Sequence, residues 1–85
     1  MGKQYDHEER NFLRLIKVNG DDDETFGNWE DVDFMDLKLG DVFKFYEPNG
    51  DIFMNDEGKS IFKVTEAPYY IKDIEEFTLK ADSIR

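Results

Sequence analysis

The groups best able to do chemistry in this sequence are carboxylates, which are concentrated between residues 21 and 36. This stretch has no Lys or Arg and eight acidic residues: Asp21, Asp22, Asp23, Glu24, Glu30, Asp31, Asp33 and Asp36. Large apolar residues, including Phe26, Trp29 and Phe34, lie among the acids. Because disordered acidic tails contain few aromatic residues, this mixture favours a folded and strongly negative surface. Such a surface attracts basic partners and repels nucleic acids and anionic lipids.

Clustered carboxylates can bind calcium, but their spacing here does not fit an EF-hand. An EF-hand loop needs Gly at its sixth position and Glu at its twelfth. Counting from Asp21, those positions hold Phe26 and Val32. The turns between Asn49 and Glu57 would hold a divalent ion only loosely. We therefore predict neither a metal site nor a cofactor.

Residues suited to catalysis are scarce. The chain has one histidine, His7, and no cysteine, so a nucleophile of the triad type lacks a nearby base. Paired carboxylates can hydrolyse glycosides, but they need a sugar-binding cleft, for which 85 residues leave little room. The glycines at positions 40, 50 and 58 stand singly rather than in a phosphate-binding loop. The sequence predicts a protein that is not an enzyme.

Charge and hydropathy narrow the possible partners. The net charge is −10, and residues 28–58 contain nine acids against two bases, Lys38 and Lys44. We expect no direct nucleic-acid binding, because that requires a basic stripe with aromatic side chains. No segment approaches the ~20 apolar residues of a membrane span, and the N-terminus lacks the apolar region of a signal peptide. Together with the absence of cysteine, these features predict a cytoplasmic protein.

The N-terminal third is ambiguous in secondary structure. Read as a helix, residues 5–18 begin at Asp6, and Glu9 completes a capping box ahead of an apolar side that includes Phe12 and Ile16. Read as a strand, the same segment does not place its apolar and polar side chains cleanly on opposite faces. The helix is favoured, followed by an exposed loop over residues 21–28.

The remaining residues predict short strands separated by polar turns. We expect strands over residues 29–34, 42–46, 52–54, 60–66 and 77–81. In the second of these, Phe43 and Phe45 share one face. Turns are expected at 36–41, with Leu37 and Leu39 inward, at 47–50 and at 55–58. Residues 67–70 should end a strand, and residues 71–76 should form a helical turn or an irregular crossover.

This spacing predicts a mostly β fold, either a small SH3-like barrel or a bent antiparallel sheet. With the N-terminal helical segment, the class is α+β overall. From its length, we expect the whole chain, residues 1–85, to form a single domain. Residues 1–27 are its N-terminal segment and acidic loop, and residues 28–85 its β part.

Three segments carry a resemblance to known proteins. LKLGDVFKFYEPNG, DEGKSIFKVTEAPY and FTLKAD, within residues 37–82, resemble a group of small proteins of unknown function encoded by bacteriophages and prophages. The shared pattern is Gly-Asp-x-Phe, then Glu-Pro-x-Gly, then Pro-Tyr, and it extends over residues 29–82. The chain departs from it at residues 71–76, where the group has a Gly-containing turn followed by Trp. These motifs are structural, so the resemblance implies phage origin but no activity.

The charge pattern predicts binding to a basic protein. Carboxylates two residues apart on a strand are separated by about 6.6–6.8 Å, close to two rises of a DNA strand at ~3.4 Å each. Asp31 and Asp33 have this sequence spacing. We therefore predict a phage-type protein that binds and inhibits a basic host protein. The most specific version of this prediction is that the acidic surface mimics nucleic acid. Its predicted partner-binding residues are the eight acids between 21 and 36, Trp29 and Tyr70.

Two alternatives remain open from the sequence. The protein could be a structural or assembly domain of a phage particle that acts through the Tyr69–Tyr70 segment or a strand edge. The acids could instead only keep a Phe-rich domain soluble. Trp29 fits a core position better than an interface anchor, since it precedes an alternating segment. Of Tyr69 and Tyr70, we expect one ring packed and the other exposed.

Overall fold

The computed structural model describes residues 10–18, 20–22 and 26–85, which form an antiparallel β structure. One sheet has five strands in the order β4-β1-β5-β6-β7, and β2 and β3 pair separately. A 3₁₀ turn, Phe34–Asp36, lies between β4 and β5. The strands are β1 (Asn11–Leu15), β2 (Lys17–Val18), β3 (Asp21–Asp22), β4 (Trp29–Val32), β5 (Val42–Tyr46), β6 (Phe62–Ile71) and β7 (Glu76–Ser83).

The helix predicted over residues 5–18 is wrong where the structure describes that segment, and so is the α+β class. Residues 11–15 form β1, which pairs with β4 on one side and β5 on the other. Phe12 and Leu15 are both buried although strand alternation places them on opposite faces. A central strand can bury apolar residues on both faces, whereas an amphipathic helix buries one stripe. Asp6 and Glu9, the expected cap residues, lie outside the described residues. The predicted loop over 21–28 also begins with a two-residue strand, β3.

The core is a cluster of phenylalanines on one face of the sheet. Phe12, Phe43 and Phe62 are buried there with Leu37 and Val64. Phe45 lies on the same face as Phe43, as alternation predicts, and its ring stacks at 4.9 Å on Phe12 and at 4.7 Å on Phe53. Offset and tilted ring pairs add to the stabilisation from apolar burial. Aromatic rings therefore supply most of the volume of this small core.

The turn that precedes β5 folds back on the sheet. Leu37 is buried as predicted, but Leu39, also expected to point inward, is 69% exposed. Gly40 has a left-handed φ of +88°, and its N–H donates to the Val64 carbonyl at 2.9 Å. Because this reversal occurs directly after Leu39, that side chain is directed away from the core.

The β6–β7 hairpin is the longest feature of the molecule. The strand break predicted at residues 67–70 is wrong, because β6 continues through them with two bulges, one near Pro68. A bulge accommodates proline, since the missing N–H falls where the ladder is already interrupted. Residues 72–75 form the hairpin turn, rather than a helical turn or crossover. The strand expected at 52–54 is reduced to one bridge between Tyr46 and Ile52.

Candidate functional site

An ion-pair cluster at the end of β1 organises one edge of the sheet. The Arg14 guanidinium donates to the Glu30 carboxylate at 2.9 Å and to the Asp41 carboxylate at 3.3 Å. Lys17 Nζ lies 3.5 Å from the second Asp41 oxygen. Burial alone would lower the pKa of Arg14, but its hydrogen bonds and charge interactions with these two acids outweigh burial and raise it. Arg14 therefore remains a fixed positive charge beneath the acidic residues.

Asp41 is the buried centre of this cluster. It is 5% exposed, and its carboxylate accepts the Lys38 backbone N–H at 2.8 Å. Its own backbone carbonyl accepts the Val64 N–H at 2.8 Å. Asp41 thus joins the turn before β5 to both β1 and β6, which gives the Gly-Asp-x-Phe motif a structural explanation.

Three predicted binding residues form what we call the acidic edge: Asp31, Asp33 and Asp36. β4 is an outer strand of the five-stranded sheet, and among the described residues it pairs only with β1. Asp33 lies just beyond β4 but keeps extended backbone angles, φ −77° and ψ 145°. Asp31 and Asp33 therefore point away from the core, while Val32 between them packs against it. Asp36 is exposed in the 3₁₀ turn that follows.

The acidic edge is not neutralised by the described N-terminal bases. Arg10 pairs with Glu47 at 3.2 Å, and Arg14 and Lys17 pair with Glu30 and Asp41. Within residues 10–18, 20–22 and 26–85, no Lys or Arg lies within ion-pair distance of the three acidic-edge carboxylates. Glu30, by contrast, points to the core side of β4 and is held by Arg14, so it adds less negative potential at this edge.

The other predicted site residues lie away from the acidic edge or outside the described residues. The Trp29 indole N–H donates to the Phe26 carbonyl at 2.7 Å, and Lys44 Nζ lies 4.5 Å from the ring centroid. Trp29 is only partly buried, in a site that fixes its orientation. Tyr70 is on the hairpin, apart from the acids. The structure describes only the backbone of Asp21 and Asp22, and Asp23 and Glu24 lie outside the described residues.

A cleft of about 760 Å³ opens beside the acidic edge, between β1, β4 and the 3₁₀ turn. The three acidic-edge residues line it together with three bases: Arg10, Arg14 and Lys38. Met35, nearly half exposed, adds an apolar contact at the same place. A lining with both signs of charge suits a polar polypeptide segment better than an apolar small molecule.

Among the described residues, no three His, Cys, Asp or Glu side chains are grouped so as to hold a metal ion. The described part of the chain also has no helix long and apolar enough to span a membrane. His7 lies outside it.

Comparison with protein-family models, with curated proteins and with solved structures finds no match to this chain. The resemblance to phage-encoded proteins stays a prediction from the sequence motifs.

The Arg14–Asp41 cluster could not be found by sequence reasoning. Arg14 and Asp41 are 27 residues apart in sequence and meet only because β1 and β5 are neighbours in the sheet. The one signal was the Gly-Asp pair at a strand start, which sequence reasoning treated as a turn.

Proposed function

We propose that this is a non-enzymatic protein that binds a basic host protein through the acidic edge and thereby inhibits it. The observation that carries the proposal is the exposure of Asp31, Asp33 and Asp36 along one edge, without an ion pair to any described base. A phage origin and a location in the host cytoplasm belong to the same proposal, since both derive from the sequence.

Two features of the edge support a polypeptide partner. β4 offers an outer backbone edge to which an extended segment can add, and main-chain hydrogen bonds supply affinity in that mode. The carboxylates beside it attract Lys and Arg on such a segment and accelerate its encounter. A basic segment of a nucleic-acid-binding protein has this chemistry, so the acidic edge would compete with nucleic acid for it.

The packing beneath the edge supports a rigid presentation of the acids. Val32 packs against the phenylalanine core, and Arg14 fixes Glu30 and the backbone carbonyl of Asp36. Because the strand and the 3₁₀ turn are both anchored, the backbone that presents the three carboxylates loses little conformational entropy when a partner binds.

The proposal is tested by capture from a bacterial lysate at about 50 mM and about 500 mM salt, followed by mass spectrometry. We expect a basic nucleic-acid-binding protein at the lower salt concentration, displaced by added DNA or RNA. Replacing the three acidic-edge residues with Asn should abolish its capture.

The matched control removes the same charge elsewhere. Asp56→Asn, Glu57→Gln and Asp73→Asn neutralise three exposed acids in turns and should leave capture unchanged. If both triple variants lose the partner equally, net charge rather than the acidic edge is responsible, and the proposal is wrong. Salt-resistant capture that DNA does not displace would also contradict it.

A further inference from the structure

The β6–β7 hairpin presents a second surface that the proposed function does not use. β5 pairs only with Phe62 and Lys63 of β6, and Val64 bonds to the turn before β5. From Thr65 to Ile71 the described strand partner of β6 is β7 alone. The longest dimension of the molecule is 43 Å, against 25 and 23 Å for the others. A two-stranded ribbon is marginally stable in water, and independent stability needs three or more strands with an apolar face.

One face of this ribbon is apolar and only partly covered. By alternation, Phe77, Leu79 and Ala81 share a face, and Leu79 and Ala81 pack against the core. Phe77 lies farther out, 43% exposed, with its ring edge-to-face against Tyr70 at 5.2 Å. Tyr70 is itself 50% exposed. The apolar stripe therefore continues past the part of the core that can bury it.

Among the described residues, β7 is an outer strand of the sheet, and its outer edge is regular. Both register shifts in the hairpin place the extra residue on β6, so β7 runs without a bulge from Glu76 to Ser83. Its polar face carries Glu76, Thr78 and Lys80. Lys80 lies 3.6 Å from Glu66, but both side chains are more than half exposed, so this ion pair is weak and leaves Lys80 accessible.

We propose that β7 pairs antiparallel with β7 of a second copy of this chain, in the register that places the two Thr78 residues opposite each other. Glu76 of each copy then faces Lys80 of the other, and Phe77 faces Leu79. The four-stranded ribbon that results joins the two apolar stripes into one continuous face. A two-fold interface of this kind repeats each favourable pair twice.

Charge and hydropathy exclude the neighbouring registers. Shifting the centre to Leu79 places Glu76 opposite Asp82 twice, and centring on Lys80 places the two lysines opposite each other. Like charges in directly opposite positions destabilise a sheet. Centring on Phe77 places Lys80 opposite the hairpin turn, where it loses its acidic partner. A register whose centre falls between two residues would pair Phe77 of one copy with a residue from the polar face of the other. Opposite residues share a face of the joined sheet, so this register would mix apolar and polar side chains. The proposed register satisfies both charge and hydropathy.

Charge reversal tests this pairing in the full-length protein by sedimentation velocity over a wide concentration range. The wild type should form a concentration-dependent dimer that persists at about 500 mM salt, because salt screens the repulsion between two chains of net charge −10. Glu76→Lys alone, or Lys80→Glu alone, should raise the dimer dissociation constant at least about tenfold.

An equimolar mixture of the two single variants separates a pairing defect from a folding defect. In the mixed dimer the introduced lysine of one copy faces the introduced glutamate of the other, and the native Lys80 faces the native Glu76. Opposite charges are then restored at both positions, so dimerisation should return to the wild-type level. A mixture that stays monomeric overturns the register.

A cysteine variant locates the two-fold axis independently. The protein has no native cysteine, so Thr78→Cys would carry the sole thiol. Opposite residues in an antiparallel pair have Cα atoms about 4.5–5.5 Å apart, within disulfide reach, and mild oxidation should cross-link two copies. The matched variant Asp82→Cys should not cross-link, since its thiols would lie roughly 25 Å apart. A wild type that is monomeric at every concentration, or equal cross-linking of both variants, overturns the proposal.

Discussion

Replacing Asp41 with Ala should destabilise the fold more than any other change of a single acid considered above. The variant loses the charge-assisted bond to the Lys38 N–H, for which about 1.5–3 kcal/mol is typical. It also leaves Arg14 and Lys17 without their shared buried partner. Removing one member of a buried pair costs about 3–5 kcal/mol, but these bases are 26% and 39% exposed, so solvent replaces part of the loss. We expect a total of about 3 kcal/mol.

Urea unfolding followed by Trp29 fluorescence measures this cost. With a urea slope of about 1–1.5 kcal/mol/M for a small domain, the midpoint should fall by about 2–3 M. Asp41→Asn keeps an oxygen that can accept the Lys38 N–H and loses only the charge, so its cost should be about half that of the Ala variant. Asp36→Asn, at an exposed position, should stay within about 0.5 kcal/mol of the wild type.

The outcome that refutes this reasoning is an Asp41→Ala protein within about 1 kcal/mol of the wild type, a change no larger than that of an average substitution. Equal costs for the Ala and Asn variants would also be informative, because they would assign the whole effect to charge and none to the backbone hydrogen bond.

Two further predictions concern the bases that contact the site. The pKa of Arg14 is raised on folding, so its contribution to stability is present below its unfolded pKa and is lost only as strongly alkaline pH rises through the folded value. The difference in unfolding free energy between wild type and Arg14→Met should therefore stay constant from about pH 7 to about pH 10. A difference that falls within this range would contradict the assignment. Lys44→Met removes the ammonium 4.5 Å from the Trp29 ring centroid, so it should lower the free energy of unfolding by about 0.5–1 kcal/mol and shift the Trp29 emission. Unchanged emission and stability would show that the contact is absent in solution.

Local sequence signals predicted the middle of the fold well. Residues 42–46 alternate cleanly, and Pro-Asn-Gly after them closes a turn in which Gly50 has φ +93°. These features depend on residues that are close in sequence. Apolar residues that occur on both sides of a segment carry less information, since Phe12, Leu13 and Leu15 fit either a helix or a strand flanked by two others. The helix prediction failed there because pairing with β4 and β5 decides the conformation.

The prediction for the β6–β7 hairpin failed for a different reason. Pro68 was expected to end a strand, as it does in a regular ladder, but the bulge beside it removes that penalty. Bulges depend on the pairing of two strands and leave no clear local signal. The projecting ribbon and its apolar stripe were therefore not predicted, although the exposure of Tyr70 was allowed for.

The candidate site was partly predictable. The sequence located the acids, and alternation placed Asp31 and Asp33 on one side of β4. The sequence did not show that Glu30 differs from these two acids, because its charge is neutralised by Arg14, 16 positions away in the chain. Composition alone gives the total charge, while the sheet determines which carboxylates remain unpaired among the described residues.

The most direct test of binding through the acidic edge is the salt dependence of affinity for the captured basic protein, measured by titration calorimetry between about 50 mM and about 500 mM salt. For the wild type, log Kd should rise steeply with log salt. The Asp31, Asp33 and Asp36 to Asn variant should bind more weakly at low salt and with a much flatter slope. An unchanged affinity and slope in that variant would contradict binding through the acidic edge.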